Sequence, residues 1–271
     1  MRKIYKLFML SLLLISCEDV IDVDLNTADP KLVIDAGINW QKGTDGKNQE
    51  IQLSLTAPFF NSEVQPATGA IVIITDASNT IFNFIEDDNT GIYKNDSFIP
   101  EINGVYTLNI TYNDELYSAT ETLTPVVPIE YVEQKNDGGF SGDEIELKVF
   151  YTDPVGMGNF YLFEFNIVKF NTTFLEVYDD VFTDGNQIFA FYSNNDMELV
   201  DEVIITNHGI SQRTYNFYNI ILEQTDENNG DPFQTQPATV RGNCVNETNP
   251  SNFPLGYFRV SETDVFSYVI E

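Results

Sequence analysis

Nucleophilic catalysis needs a thiol or hydroxyl beside a base, and this chain of 271 residues offers one histidine, His208, and two cysteines, Cys17 and Cys244. A Cys244–His208 pair could generate a thiolate, because imidazole takes the thiol proton. His208 stands in 206–209 (TNHG), which reads as a turn, and neither residue lies in a nucleophile context such as G-x-S-x-G. A histidine-ligated zinc would need further His or Cys, and none is present. Carboxylates are plentiful, with 42 Asp+Glu. Pairs of them hydrolyse glycosides only at a set separation in space, about 5 or 6.5–9.5 Å, which spacing along a chain does not give. Calcium prefers hard oxygens on short turns, and 87–91 (DDNTG) and 226–231 (DENNGD) offer them. Neither fits the twelve-residue helical loop, and Asp, Asn and Gly are the ordinary residues of turns. The sequence assigns no catalytic residue, no metal ligand and no cofactor; calcium is the one ion its turns could serve.

Cys17 is placed differently. The first 16 residues carry Arg2, Lys3 and Lys6 with no acid, then an apolar stretch over 7–15. This is the basic and apolar order of a secretory signal peptide, and it falls short of the roughly 20 apolar residues of a spanning helix. It ends in Leu14-Ile15-Ser16-Cys17, which resembles the bacterial lipobox, where the chain is cut before the cysteine and the thiol carries diacylglycerol. Acyl chains then supply about 0.8 kcal/mol per buried methylene, and two or three of them anchor stably. The sequence therefore makes Cys17 the lipidation site and residues 17–29 an acidic tether. Glu18 and Asp19, with Asp22 and Asp24 close by, are similar to the short acidic signals that send lipoproteins to the cell surface. Acid also keeps a linker extended.

Loss of 1–16 leaves ten basic residues against 42 acidic ones, a net charge of −32. A nucleic-acid partner, which needs a basic patch, is excluded on this ground, and the membrane is reached through the lipid alone. With Cys17 acylated, Cys244 stands alone and no intramolecular disulfide forms, so stability must come from apolar cores.

The elements are strands almost throughout. Segment 31–38 (KLVIDAGI) comes first, and 50–55 (EIQLSL) alternates as a half-buried strand should. The β-branched run 69–75 turns through 76–79 into 80–85, and 91–93, 104–113 and 115–123 follow, the last two joined at Asn113-Asp114. Short strands at this spacing over 30–124 predict an immunoglobulin-like β-sandwich. Pro125-Val126-Val127-Pro128 reads as a stiff connector. A second β-rich domain is expected over 128–271, with strands at 129–132, 144–151, 159–169, 173–178, 188–192 and 202–206. One segment, 211–224, lacks Gly and Pro and begins on Ser211. It predicts a single amphipathic helix with Tyr215, Tyr218 and Leu222 on the face that covers the second sheet. The fold class is thus mainly β. Trp40, before a loop, and the many Phe and Tyr could stack on sugars, although sandwich cores are made of the same rings.

In this order the chain resembles a known family. The lipobox followed by acid, the LVIDAGI and GAIVIITD blocks, Gly91-Ile92-Tyr93, Gly104-Val105-Tyr106, the TYNFYNIILEQ helix, Asp231-Pro232-Phe233 through Asn243, and Leu255-Gly256-Tyr257-Phe258 are similar to the domain-of-unknown-function outer-membrane lipoproteins of Bacteroidota, commonly encoded beside TonB-dependent receptors. Cys244 departs from it, standing where an aliphatic residue is commoner. The resemblance implies a lipid-anchored outer-membrane protein facing the cell surface, a non-catalytic accessory or ligand-capture partner of a TonB-dependent receptor in nutrient uptake. A surface-anchored hydrolase of glycans or peptides, or an adhesion module, is the alternative. The ligand-binding residues are unassigned.

Overall fold

A computed structural model describes residues 29–58, 63–139, 142–225 and 240–271. Cys17, Glu18, Asp19 and the 226–231 turn lie outside the described residues.

The first unit is built from β1 (Leu32–Gln41), β2 (Gln49–Leu55), β3 (Gln65–Pro66), β4 (Ile71–Asp76), β5 (Ile81–Glu86), β6 (Ile92–Asn95), β7 (Val105–Tyr112) and β8 (Glu115–Thr122). Alternation does the work: Leu32, Ile34, Ala36 and Ile38 of β1 point inward, as do Val72 and Ile74 of β4, and Tyr106, Leu108 and Ile110 of β7. Each aliphatic side chain so buried contributes about 1.5–3 kcal/mol relative to exposure. One sheet runs β1-β2-β6-β5 and the other β4-β7-β8, with β5 paired to both β4 and β6 at the corner. The turn at 113–114 has both residues in the left-handed region, φ 49° and 62°, which joins β7 to β8 with the twist a two-residue hairpin requires. Tyr106, at the start of β7, donates its hydroxyl to Ile99 O (3.0 Å) and accepts from Glu101 N (2.8 Å). This is the tyrosine corner of Greek-key sandwiches, and it fixes the crossover between the two sheets.

The second unit holds β9 (Tyr131–Gly138), β10 (Glu144–Thr152), β11 (Phe160–Ile167), β12 (Thr172–Asp179), β13 (Gln187–Asn194), β14 (Glu202–Ile210) and α1 (Gln212–Thr225). Sheet β13-β10-β9 packs on the strands β12-β11-β14 through Leu147, Val149 and Tyr151 from one side and Phe163, Phe165, Val203 and Ile205 from the other. Ser211 caps α1, its Oγ accepting from Thr214 N at 3.2 Å, as the sequence predicts. The buried seam of α1 differs from the expected stripe. Thr214 and Phe217 are the buried pair, because Phe217 lies on Tyr257 at 4.5 Å, while Tyr215, Tyr218 and Leu222 are half-buried beside it.

The division at 124–128 differs from the strand pairing in one respect. Residues 240–271 were expected wholly in the second domain, yet β15 (Val245–Asn246) pairs with β8, and β16 (Leu255–Val269) serves both units. Its first half runs parallel to β1, from Leu255 opposite Val33 to Thr263 opposite Gln41; its second runs antiparallel to β14, from Thr263 opposite His208 to Val269 opposite Glu202. Phe258 and Val260 enter the first core, and Phe266 and Tyr268 pack on the second. Where the strand crosses, all residues from Tyr257 to Thr263 are buried. The connector is also stapled rather than free. Val126 N donates to Glu262 Oε2 (2.9 Å), Ile129 N to Asp264 Oδ2 (2.7 Å), and Asn207 Nδ2 to Val127 O (3.1 Å). It passes so close over β14 that a Cβ on Gly209 would stand 2.0 Å from Pro125 O.

Candidate functional site

The crossing of β16 brings together polar residues from four strands. Arg259 of β16, 7% exposed in its side chain, places Nη1 2.8 Å from Asn39 Oδ1 on β1 and 2.8 Å from His208 Nδ1 on β14. His208 Nε2 is 3.1 Å from Glu164 Oε1 on β11, within ion-pair distance but off the line of a hydrogen bond, and Arg259 Nη2 is 3.9 Å from the same oxygen. Gly37 of β1 makes room for this: a Cβ there would meet Arg259 Nη2 at 3.1 Å. The sequence reading of His208 as a turn residue is corrected here. It is 2% exposed and paired on both sides, to Leu162 and Thr263, because β14 continues four residues past 206.

Burial, then the Arg259 charge, push the His208 imidazole below its ordinary pKa, and Glu164 opposes them. Burial works against the charged form of Glu164, yet His208 and Arg259 hold its carboxyl down at about 2. Asp35 of β1, exposed at the rim, is in electrostatic reach of both Arg259 and Glu164. Chemically the cluster is a neutral imidazole between a guanidinium and a carboxylate. A Cys244–His208 dyad does not form: Cys244 packs in the first core, its Sγ 3.7 Å from Asn243 Oδ1, and burial pushes its thiol up to about 12.

A second cluster was invisible to the sequence reading. Asp153 follows β10, and Asp180 and Asp184 follow β12; a carboxylate oxygen of each lies within 4.8 Å of the others, and Asp153 and Asp180 are 1% exposed. These are the residues that could hold a metal ion, yet four of their six oxygens already accept hydrogen bonds, three of them from the backbone. Asp153 accepts from Tyr161 Oη (2.5 Å) and Gly185 N (3.1 Å), Asp180 Oδ2 from Gly158 N and Asn159 N, and Asp184 Oδ1 from Gly156 N. The trio clasps two loops to each other. Their tips expose Val155, Met157 and Phe182. In the 87–91 turn, Asp87 is paired with Lys94 at 2.6 Å, and Asp88 and Asn89 take left-handed φ.

A groove of about 590 Å³, within the range of small-ligand sites, lies on the first unit. Asn48, Glu50, Asn83 and Asp96 line it, with Ile81 and Ile85 exposed along it. The aromatic rings are mostly spoken for. Tyr131 and Phe150 stack on each other across β9 and β10 at 4.6 Å, and Trp40 is half-buried against the first core with its Nε1 donating to Thr44 O. Among the described residues no helix is long and apolar enough to cross a membrane.

Among solved structures, the chain is similar to a two-domain fibronectin type-III segment of chicken tenascin, at 12% identity over 67% of this chain and 90% of that one, with a TM-score of 0.22. It is similar to a cytokine receptor complex at 7% identity, 68% and 86% coverage and a TM-score of 0.27, and to the chicken interferon gamma receptor alpha chain at 11%, 66% and 88%, and 0.22. No curated protein matches it. One family model, described as "Domain of unknown function (DUF4249)", matches residues 18–266, and over that span, nearly the whole chain, the protein belongs to this family.

Proposed function

We propose that this protein is a lipid-anchored accessory of the bacterial outer membrane, held by Cys17, exposed at the cell surface, and acting without catalysis as a docking or ligand-capture partner of a TonB-dependent receptor. The observation that carries this reading is the Leu14-Ile15-Ser16-Cys17 motif followed at once by Glu18-Asp19, with the family match beginning at residue 18, the first after the lipidated cysteine. Two stacked sandwiches suit a reaching, surface-presenting role, and the groove beside Ile81 and Ile85 offers a place for a ligand. The best catalytic pair speaks against chemistry, since the Cys244 thiol is buried and both ring nitrogens of His208 face structural neighbours.

The test is affinity purification of the full chain from gently solubilised outer membranes, followed by mass spectrometry. A TonB-dependent barrel recovered in fixed proportion is the expected result. Recovery of the chain with no barrel overturns the partner reading.

A further inference from the structure

The chain has one histidine, and it lies where the shared strand passes from one sandwich to the other. Arg259 Nη1 is 2.8 Å from His208 Nδ1. A guanidinium has only hydrogens to offer, so Nδ1 must present a lone pair. Neutral His208 therefore keeps its proton on Nε2, toward Glu164 Oε1 at 3.1 Å. A second proton can enter only at Nδ1. There it meets an Arg259 N–H at hydrogen-bond distance, and both side chains are almost out of water, at 2% and 7% exposure.

We propose that the Arg259–His208 contact is an acid-released latch between the two sandwiches: proton uptake at Nδ1 displaces the guanidinium and loosens β1 and the first half of β16 from β14, while each sandwich keeps its own core. The charged groups around the imidazole come from three strands. Arg259 of β16 opposes the imidazolium and Glu164 of β11 favours it, while Asp35 of β1, at the rim, interacts with Arg259 and Glu164. On β14 itself the neighbour is Asn207, which is neutral and bound to the connector. Burial adds to Arg259, so the latch stays closed at neutral pH and opens below the ordinary range of histidine. The cores are separable in this way because no buried residue belongs to both: Ile34, Leu53, Ile74 and Leu108 pack with Phe258 and Val260 in one, and Val149, Phe163, Phe165 and Ile205 pack with Phe266 and Tyr268 in the other. The clamps of the connector on Glu262 and Asp264 do not involve His208, so the two halves remain tethered after release.

Two natural probes sit at the latch. His208 is the one imidazole, and Trp40, the one indole, lies on β1 opposite Glu262 of β16. The full-length protein in mild detergent is titrated from about pH 8 to about pH 4.5, with imidazole NMR, Trp40 fluorescence and hydrogen exchange read together. The expected result is an imidazole midpoint below about 6.5 with a Trp40 change at the same midpoint. Exchange in 202–210 and 255–263 should rise about tenfold or more while 105–112 and 147–151 stay protected. His208→Gln keeps an oxygen that accepts from Arg259 but cannot titrate, and it should abolish the Trp40 change. If that variant does not fold, the wild-type titration decides alone. An imidazole that titrates with no change at Trp40 or in exchange overturns the proposal. So does a Trp40 transition retained in His208→Gln, or loss of protection in all four segments at once.

Discussion

Arg259 and His208 meet at 2.8 Å although 51 residues separate them, and through this contact the first-half strand of one sandwich is tied to the last strand pairing of the other. Removing the guanidinium leaves His208 Nδ1 and Asn39 Oδ1 without their donor and Glu164 without the positive charge 3.9 Å away. Arg259→Met should cost about 3 kcal/mol, the scale of breaking a buried charged pair. Urea denaturation should show a lower midpoint with little change in slope. Arg259→Lys should not restore it, because one ammonium cannot reach Asn39 and His208 together as a planar fork does. A Lys variant as stable as the parent would contradict this.

Acid should weaken the fold from two groups acting in the same direction. Glu164 has its folded carboxyl held down at about 2, so its contribution is present above the ordinary carboxylate range and is lost as pH falls toward 2. His208 is a base held low, so the unfolded chain binds its proton first and stability declines as pH drops below about 6.5. Partial exposure of Glu164 caps its share at about 2 kcal/mol. Stability measured by urea from about pH 7 to about pH 3 should fall, and Glu164→Gln should flatten the lower part of that curve. A parallel curve in the variant would remove Glu164 from the account.

Gly209 has no room for a side chain, since a Cβ would stand 2.0 Å from Pro125 O, a backbone atom that cannot rotate away. Gly209→Ala should destabilise by about 3 kcal/mol or more, or prevent folding. Gly43→Ala is the matched control: its φ of 81° strains a side chain but nothing lies within 4 Å, so about 1 kcal/mol is expected. Thermal melts of the two variants should therefore differ widely. Equal losses would mean that the connector does not press on β14.

The anchor and its acidic signal are tested at five residues apart from any fold question. Cys17→Ala should leave a chain that carries no lipid and is released from the membrane fraction. Neutral replacements at Glu18, Asp19, Asp22 and Asp24 should keep the lipid but remove accessibility to protease on intact cells. Membrane retention of the Cys17 variant would refute the lipid assignment.

What could be read from the sequence was what is local. Alternation in 31–38 and 50–55 gave β1 and β2, Asn113-Asp114 gave the turn of β7 and β8, and Ser211 gave the start of α1. His208 was misread because Thr-Asn-His-Gly has the composition of a turn, whereas its neighbours in space, β11 and β16, extend the strand through it. The β-branched run before it and Ile210 after it were the available signal. The double pairing of β16 had none: no strand was expected over 255–269, and an extended segment does not tell which edge it joins, whereas here two edges share it. The Asp153, Asp180 and Asp184 clasp depends on the meeting of two loops that cross between the sheets, from β10 to β11 and from β12 to β13, which no spacing reveals.

Because β16 comes after every other strand, neither sandwich can close while the chain is still emerging. The first lacks the strand beside β1 and the second the strand beside β14 until the same segment arrives. Pairings of such long range are slow to form, and here both halves wait on one event. Truncation at 254 should therefore leave two open sheets rather than one finished domain and one broken one.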